Sequence, residues 1–125
     1  MTETEPLIVV VEDDDGMRRA LQRLLRVSGF DTLTFESAEA FVSANLARAP
    51  HCLVLDVQLP GASGPRFYEQ LGVQRPPAVF ITAHDSPATR SAILSAGGHE
   101  LLTKPFVASD LLNAITRAVL RGASP

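Results

Sequence analysis

The stretch PLIVVVEDDDG, Pro6 to Gly16, joins a wall of apolar residues to four consecutive acids. Leu7 to Val11 lacks the alternation of a strand with one wet face, so it reads as a strand buried on both sides, the pattern of a parallel sheet covered by helices. At its exit stand Glu12, Asp13, Asp14 and Asp15, where like charges repel. Asp14 or Asp15 can cap a following helix, and the helix dipole favours both acids there. Glu12 and Asp13 have no such explanation.

Working outward, short apolar runs keep alternating with longer amphipathic ones. Met17, Ala20, Leu21, Leu24 and Leu25 form the stripe of a first helix, and Gly29 is placed to stop it. DTLTF is a second strand with Leu33 and Phe35 on one face. Ser37 caps a second helix carrying Ala38, Phe41 and Val42, which runs out near Arg48 to Pro50. CLVLDV is a third strand, followed by the loop QLPGASG and a third helix over roughly Pro65 to Leu71. PPAVFIT is a fourth strand. Ser86 and Pro87 start a fourth helix that Gly97 and Gly98 end, ELLT is a fifth strand, and Leu111, Leu112, Ile115 and Val119 mark a fifth helix.

Five strands alternating with five helices require crossover connections, which are right-handed, and predict an α/β fold: a doubly wound, five-stranded parallel sheet in a three-layer sandwich. With 125 residues one domain is expected, spanning residues 7–120. Residues 1–6 are expected as a flexible tail and 121–125 as a C-terminal tail or the start of a linker. A net charge of −3 points to neither disorder nor a nucleic-acid surface, and the last helix offers only Arg117 and Arg121 as cations. The lone Cys52 can build no disulfide framework within the chain, which suits a reducing cytoplasm. Leu7 to Val11 is too short for a membrane span or a signal-peptide core. One choice of residue stands out: ten of the eleven cations are Arg, and the single lysine is Lys104, in LLTKPF. An ammonium is a compact point charge where a guanidinium is a broad fork.

In a parallel sheet all strands leave at one edge, and ligands bind where neighbouring crossovers diverge. Glu12 and Asp13 lie at the first exit, Asp56 at the third, Thr82 at the fourth and Lys104 at the fifth. In the order 2-1-3-4-5 the switch point falls between strands one and three, which makes Asp13 and Asp56 neighbours. Converging carboxylates need a cation among them. Oxygen donors without His or Cys call for a hard ion, and Mg²⁺ fits best, with Glu12 and Asp13 as ligands or their support. Asp56 beside Mg²⁺, with the Thr82 hydroxyl and Lys104 to neutralise three equatorial oxygens, has what phosphoryl transfer needs: positioning and charge compensation. Asp56 is the expected nucleophile and phosphoacceptor.

VVVEDD with Glu12 and Asp13, CLVLDVQLPGASG with Asp56, VFITAH with Thr82 and LLTKPF with Lys104 together resemble the receiver domain of two-component response regulators over about Leu7 to Leu120. The resemblance implies a flavodoxin-like domain that accepts a phosphoryl group on Asp56 from a sensor histidine kinase or phosphotransfer protein. Such a domain would be a signalling phosphoacceptor and not an enzyme, beyond catalysing its own phosphotransfer and slow autodephosphorylation. It further implies Mg²⁺ held by Asp13, Asp56 and the Gln58 carbonyl with Glu12 in support, Thr82 turning toward the phosphoryl group, and a cis bond before Pro105. Ala83 would keep the group accessible, and Gln58 and His84 occupy places that modulate acyl-phosphate lifetime. The surface of the fourth helix, fifth strand and fifth helix would serve as output or homodimer face. Leu101 stands where the family usually has Tyr or Phe, so the switch is expected to be muted or carried by other residues. His51 and His99 are assigned no role.

An acylphosphate-forming hydrolase would add an Asp two residues after the nucleophile, where this chain has Gln58. A flavodoxin-type cofactor binder would place phosphate beside the repelling EDDDG. A degenerate, purely protein-binding receiver would not need all four motif positions.

Overall fold

Leu7–Val11 forms β1 with every residue buried, as its unbroken apolar run requires. The computed structural model describes residues 5–123, and the remaining residues of both expected tails lie outside this range. In chain order β1 is followed by α1 (Asp15–Val27), β2 (Asp31–Phe35), α2 (Ala38–Ala44), β3 (Cys52–Asp56), α3 (Gly64–Gln70), β4 (Ala78–Thr82), α4 (Pro87–Ser95), β5 (Glu100–Thr103) and α5 (Ala108–Ala123). The strands pair in parallel in the order β2-β1-β3-β4-β5.

Side-chain alternation divides the interior into two layers. Val9, Val11, Leu53, Leu55 and Phe80 face Phe41 of α2, Phe67 and Tyr68 of α3 and Ile93 of α4. Ile8, Val10, Val54 and Ile81 face Leu21 and Leu25 of α1 and Leu111, Ile115 and Ala118 of α5. Each large aliphatic side chain enclosed this way contributes about 1.5–3 kcal/mol relative to exposure. Two filled layers on one sheet fix the strands, and so the positions of their exits.

The helix starts follow their caps. Asp14, not Asp15, caps α1, accepting the Met17 N–H at 3.1 Å, while Ser37 and Ser86 accept the N–H groups of Ala40 and Thr89. Several ends differ from expectation. α2 stops at Ala44 rather than near Arg48, because Asn45 turns into the left-handed region with φ of 46° and returns its N–H to Val42. β4 begins at Ala78: the preceding prolines lack ladder N–H groups, though the Pro77 carbonyl accepts from Leu53. On the edge strand β2, Phe35 packs edge-on against Phe41, whereas Leu33 remains 39% exposed and the buried residue is Thr32.

The boundaries also shift. α5 continues past Leu120 to Ala123, with Arg121 paired to Glu100. At the other end, the Pro6 carbonyl accepts the Asp31 N–H and the Glu5 carbonyl accepts from Arg48, so these two residues of the expected tail are tied to the domain. His51, assigned no role from sequence, accepts the Leu7 N–H on Nδ1 at 3.0 Å and steadies the start of β1. Among the described residues no helix is long and apolar enough to cross a membrane.

Candidate functional site

The exits of β1, β3, β4 and β5 share one rim of the sheet. Register explains the placement: β1 and β3 run side by side with Val11 opposite Leu55, so the next residues, Glu12 and Asp56, leave together. Asp56 in turn lies opposite Ile81, and Thr82 opposite Thr103, which brings Lys104 alongside. The Lys104 N–H donates to the Thr82 carbonyl at 2.7 Å, extending the ladder one residue.

Glu12, Asp13 and Asp56 each offer a carboxylate oxygen to a cluster whose members lie within 4.8 Å of one another. Glu12 and Asp56 are buried and Asp13 is exposed. Lys104 Nζ donates to Asp56 Oδ2 at 2.9 Å and to Glu12 Oε1 at 3.0 Å. The other Asp56 oxygen, Oδ1, accepts the Gln58 N–H at 2.9 Å, and Glu12 Oε2 accepts the Asp14 N–H at 3.2 Å. Donors therefore hold both buried carboxylates in place.

Burial is the largest influence on Glu12 and pushes its carboxyl up to about 7, against the Asp14 and Lys104 bonds that favour the anion. For Lys104 burial acts downward, but the bonds from Asp56 and Glu12 outweigh it and raise the ammonium above its ordinary value. Lys104 thus stays charged, and the pocket holds more carboxylate than one ammonium can neutralise. An oxygen-only donor set with that deficit suits a hard divalent cation.

The other residues singled out from sequence fall into two groups. Gln58 joins the site through its N–H, and its side chain is exposed. Thr82 is at the rim, but its hydroxyl is engaged by its own loop: Oγ1 donates to the His84 carbonyl at 3.1 Å and accepts the His84 N–H at 3.2 Å. Ala83, His84 and Pro105 are exposed, and the Lys104–Pro105 bond is cis. Leu101 is half-buried opposite Phe80, packed on the layer that contains Ile93. Sequence reading missed Arg18, whose guanidinium donates to the Glu12 carbonyl at 2.9 Å. The available signal was a cation four residues after the capping Asp14, on the helix face nearest the acids.

The family model for the response regulator receiver domain matches residues 8–116. The chain belongs to this family. Nodulation protein W of Bradyrhizobium diazoefficiens is 39% identical over 94% of this chain and 53% of its own length. The response regulator protein TmoT of Ectopseudomonas mendocina is 40% identical over 95% of this chain and 55% of its own length. The chain thus spans about half the length of the curated relatives it matches. A CheY-like receiver from Methanospirillum hungatei superposes with a TM-score of 0.87 at 20% identity, covering 95% of this chain and 97% of that one. At that identity the likeness speaks for the fold. The response regulator StyR is 41% identical with a TM-score of 0.81, over 96% of this chain and 62% of its own. This chain is therefore a receiver domain of two-component signalling.

Proposed function

We propose that this receiver accepts a phosphoryl group on Asp56 in a Mg²⁺-dependent reaction and passes the change to its α4, β5 and α5 surface. The observation that carries the reading is the convergence of Glu12, Asp13 and Asp56 within 4.8 Å, with Lys104 bonded to two of them. Three carboxylates held this close are costly without a cation, and their oxygen-only chemistry fits Mg²⁺.

Asp13, Asp56 and the Gln58 carbonyl would hold the ion, with Glu12 in support. Mg²⁺, when bound, would neutralise phosphoryl oxygens and the carboxylates around them. An Asp56 carboxylate oxygen attacks phosphorus as the P–N bond of a partner's phosphohistidine breaks, the electron pair returning to the imidazole. The product is an acyl phosphate. Lys104, already on Asp56 Oδ2, shifts to a phosphoryl oxygen, and Thr82 leaves the His84 backbone to donate to another.

That exchange of partners couples the bond at Asp56 to the loop before Ser86. A new set of acceptor oxygens acts by biasing a segment with two arrangements, and the Thr82–His84 bonds describe one of them. The partner is a sensor histidine kinase or phosphotransfer protein in the cytoplasm, and the output is a partner, a second copy or an output domain. Gln58, Ala83 and His84 set how slowly the acyl phosphate hydrolyses.

The test is incubation with Mg²⁺ and acetyl phosphate, read by intact mass. One labile phosphoryl adduct, lost in Asp56→Asn and on chelation, is expected. Turnover of the donor without an adduct would indicate a hydrolase, and no reaction with any phosphodonor would indicate a silent binding module.

A further inference from the structure

Lys104 is not the only cation set against the acidic turn. Arg18, one turn into α1, donates through Nη1 to the Glu12 carbonyl at 2.9 Å and to the Asp13 carbonyl at 3.4 Å, and through Nη2 to the Asp15 carboxylate. Its own N–H bonds the Asp14 carbonyl at 2.9 Å. The side chain keeps 17% exposure, while its neighbour Arg19 is exposed. A single guanidinium therefore gathers backbone and side chain from three of the four consecutive acids.

At Glu12 and Asp13 the atoms it holds are carbonyls, not the carboxylate oxygens that cluster near Asp56. We infer that Arg18 is a positioning residue for the Mg²⁺ site, fixing the peptide planes from which the Glu12 and Asp13 carboxylates project. The inference rests on the function proposed above. Glu12 has side-chain anchors in Lys104 and the Asp14 N–H. No bond to the Asp13 carboxylate is found among the described residues, so its direction depends on the backbone that Arg18 holds.

The residue type matters. A planar fork with five donors can span two carbonyls and a carboxylate, whereas an ammonium on a flexible stem concentrates its charge at one point. Charge and position also act in opposite directions here. Deleting a cation beside an anionic site strengthens its attraction for Mg²⁺, while loosening the ligand backbone weakens it. Arg18→Lys keeps the charge and removes the fork, so it reports position alone.

The experiment is calorimetric titration of Mg²⁺ into wild type, R18K and the exposed control R19K, with thermal unfolding of each in the absence of Mg²⁺. R18K is expected to weaken Mg²⁺ binding on the order of tenfold, the usual effect of losing a group that orients a ligand. R19K is expected to match wild type. At saturating Mg²⁺, R18K should still form the acetyl-phosphate adduct that D56N abolishes. Wild-type Mg²⁺ affinity in R18K, or a loss no larger than its unfolded fraction explains, overturns the positioning role while leaving the proposed function intact. Wild-type protein that takes up no Mg²⁺ overturns the proposed function itself, and the positioning role with it.

Discussion

Lys104 Nζ lies 2.9 Å from Asp56 Oδ2 and 3.0 Å from Glu12 Oε1, so a single ammonium joins the ends of β1, β3 and β5. Lys104→Ala leaves two buried carboxylates facing each other across the space it filled. The expected loss of stability without Mg²⁺ is about 1–3 kcal/mol, discounted from a fully enclosed pair because the lysine side chain keeps some exposure. Mg²⁺ should restore much of that loss by replacing the missing cation. Urea unfolding with and without Mg²⁺ checks this, and a variant as stable as wild type without Mg²⁺ contradicts it.

Asp13 predicts the opposite sign. Its carboxylate adds negative charge to the cluster without a described hydrogen bond in return. Asp13→Asn should raise the unfolding midpoint of the Mg²⁺-free protein by a few degrees, since it relieves repulsion on Asp56 and Glu12. It should also reduce the further rise that Mg²⁺ produces in wild type. Thermal scans across a Mg²⁺ series measure both effects, and a midpoint lowered without Mg²⁺ would show that repulsion at Asp13 is negligible.

These two residues also show what could be read in advance. Leu7–Val11 and Ala78–Thr82 are unbroken runs because both faces are covered, and such a run ends where the sheet meets solvent. The residues just beyond are therefore legible as site candidates: Asp13 and Asp56 as neighbours at one crevice, and Lys104 as a cation at the same edge. The edge strand β2 was less legible: its cover is partial, so Thr32 is buried and Leu33 is 39% exposed. Asn45 hid the end of α2, because a single left-handed residue leaves little mark on hydrophobic periodicity. The Thr82 hydroxyl lay beyond sequence for another reason, and of Arg18 only the spacing from Asp14 was visible. Their partners are backbone groups, and composition does not show where a carbonyl points.

Glu100 supplies a pH dependence away from the acidic rim. It accepts from Arg117 at 2.9 and 3.1 Å and from Arg121 at 3.0 Å. The Arg117 bonds, aided by Arg121, hold its carboxyl below the ordinary 4.5 against the upward effect of burial. A carboxyl lowered in the folded state adds stability that is fully present above its unfolded value and is lost as pH falls through the folded one. The contribution should fade on acidification below about pH 4.5, and Glu100→Gln should flatten that limb while leaving the rest of the profile in place. Both arginine side chains reach solvent, so the effect is small and should shrink further in high salt. Urea midpoints measured across pH for both proteins, at low and high salt, check the slope. Identical acid limbs would remove the pair from the account.

Gly64 tests how tightly the backbone behind Asp56 is held. Its N–H donates to the Val57 carbonyl at 2.8 Å, closing the loop that follows β3. A Cβ at this position would come within 2.2 Å of the Asp56 carbonyl oxygen and 3.2 Å of Val57 Cα. Both are backbone atoms, so the clash cannot be relieved by a rotamer change. Either α3 moves away or the peptide carrying Asp56 shifts. Gly64→Ala should cost about 1–3 kcal/mol, the usual range for forcing extra atoms into a packed site. If the shift is taken at Asp56, the variant should also form the acetyl-phosphate adduct more slowly than its folded fraction explains. Gly16→Ala is the control: the nearest atom to its added Cβ is an Asp14 carboxylate oxygen at 3.8 Å, an ordinary contact. Urea unfolding and adduct formation, measured on both variants, separate lost fold from a displaced nucleophile. A Gly64→Ala protein with wild-type stability and rate would mean that the loop between β3 and α3 yields freely, and that its closeness to Asp56 does not hold the carboxylate.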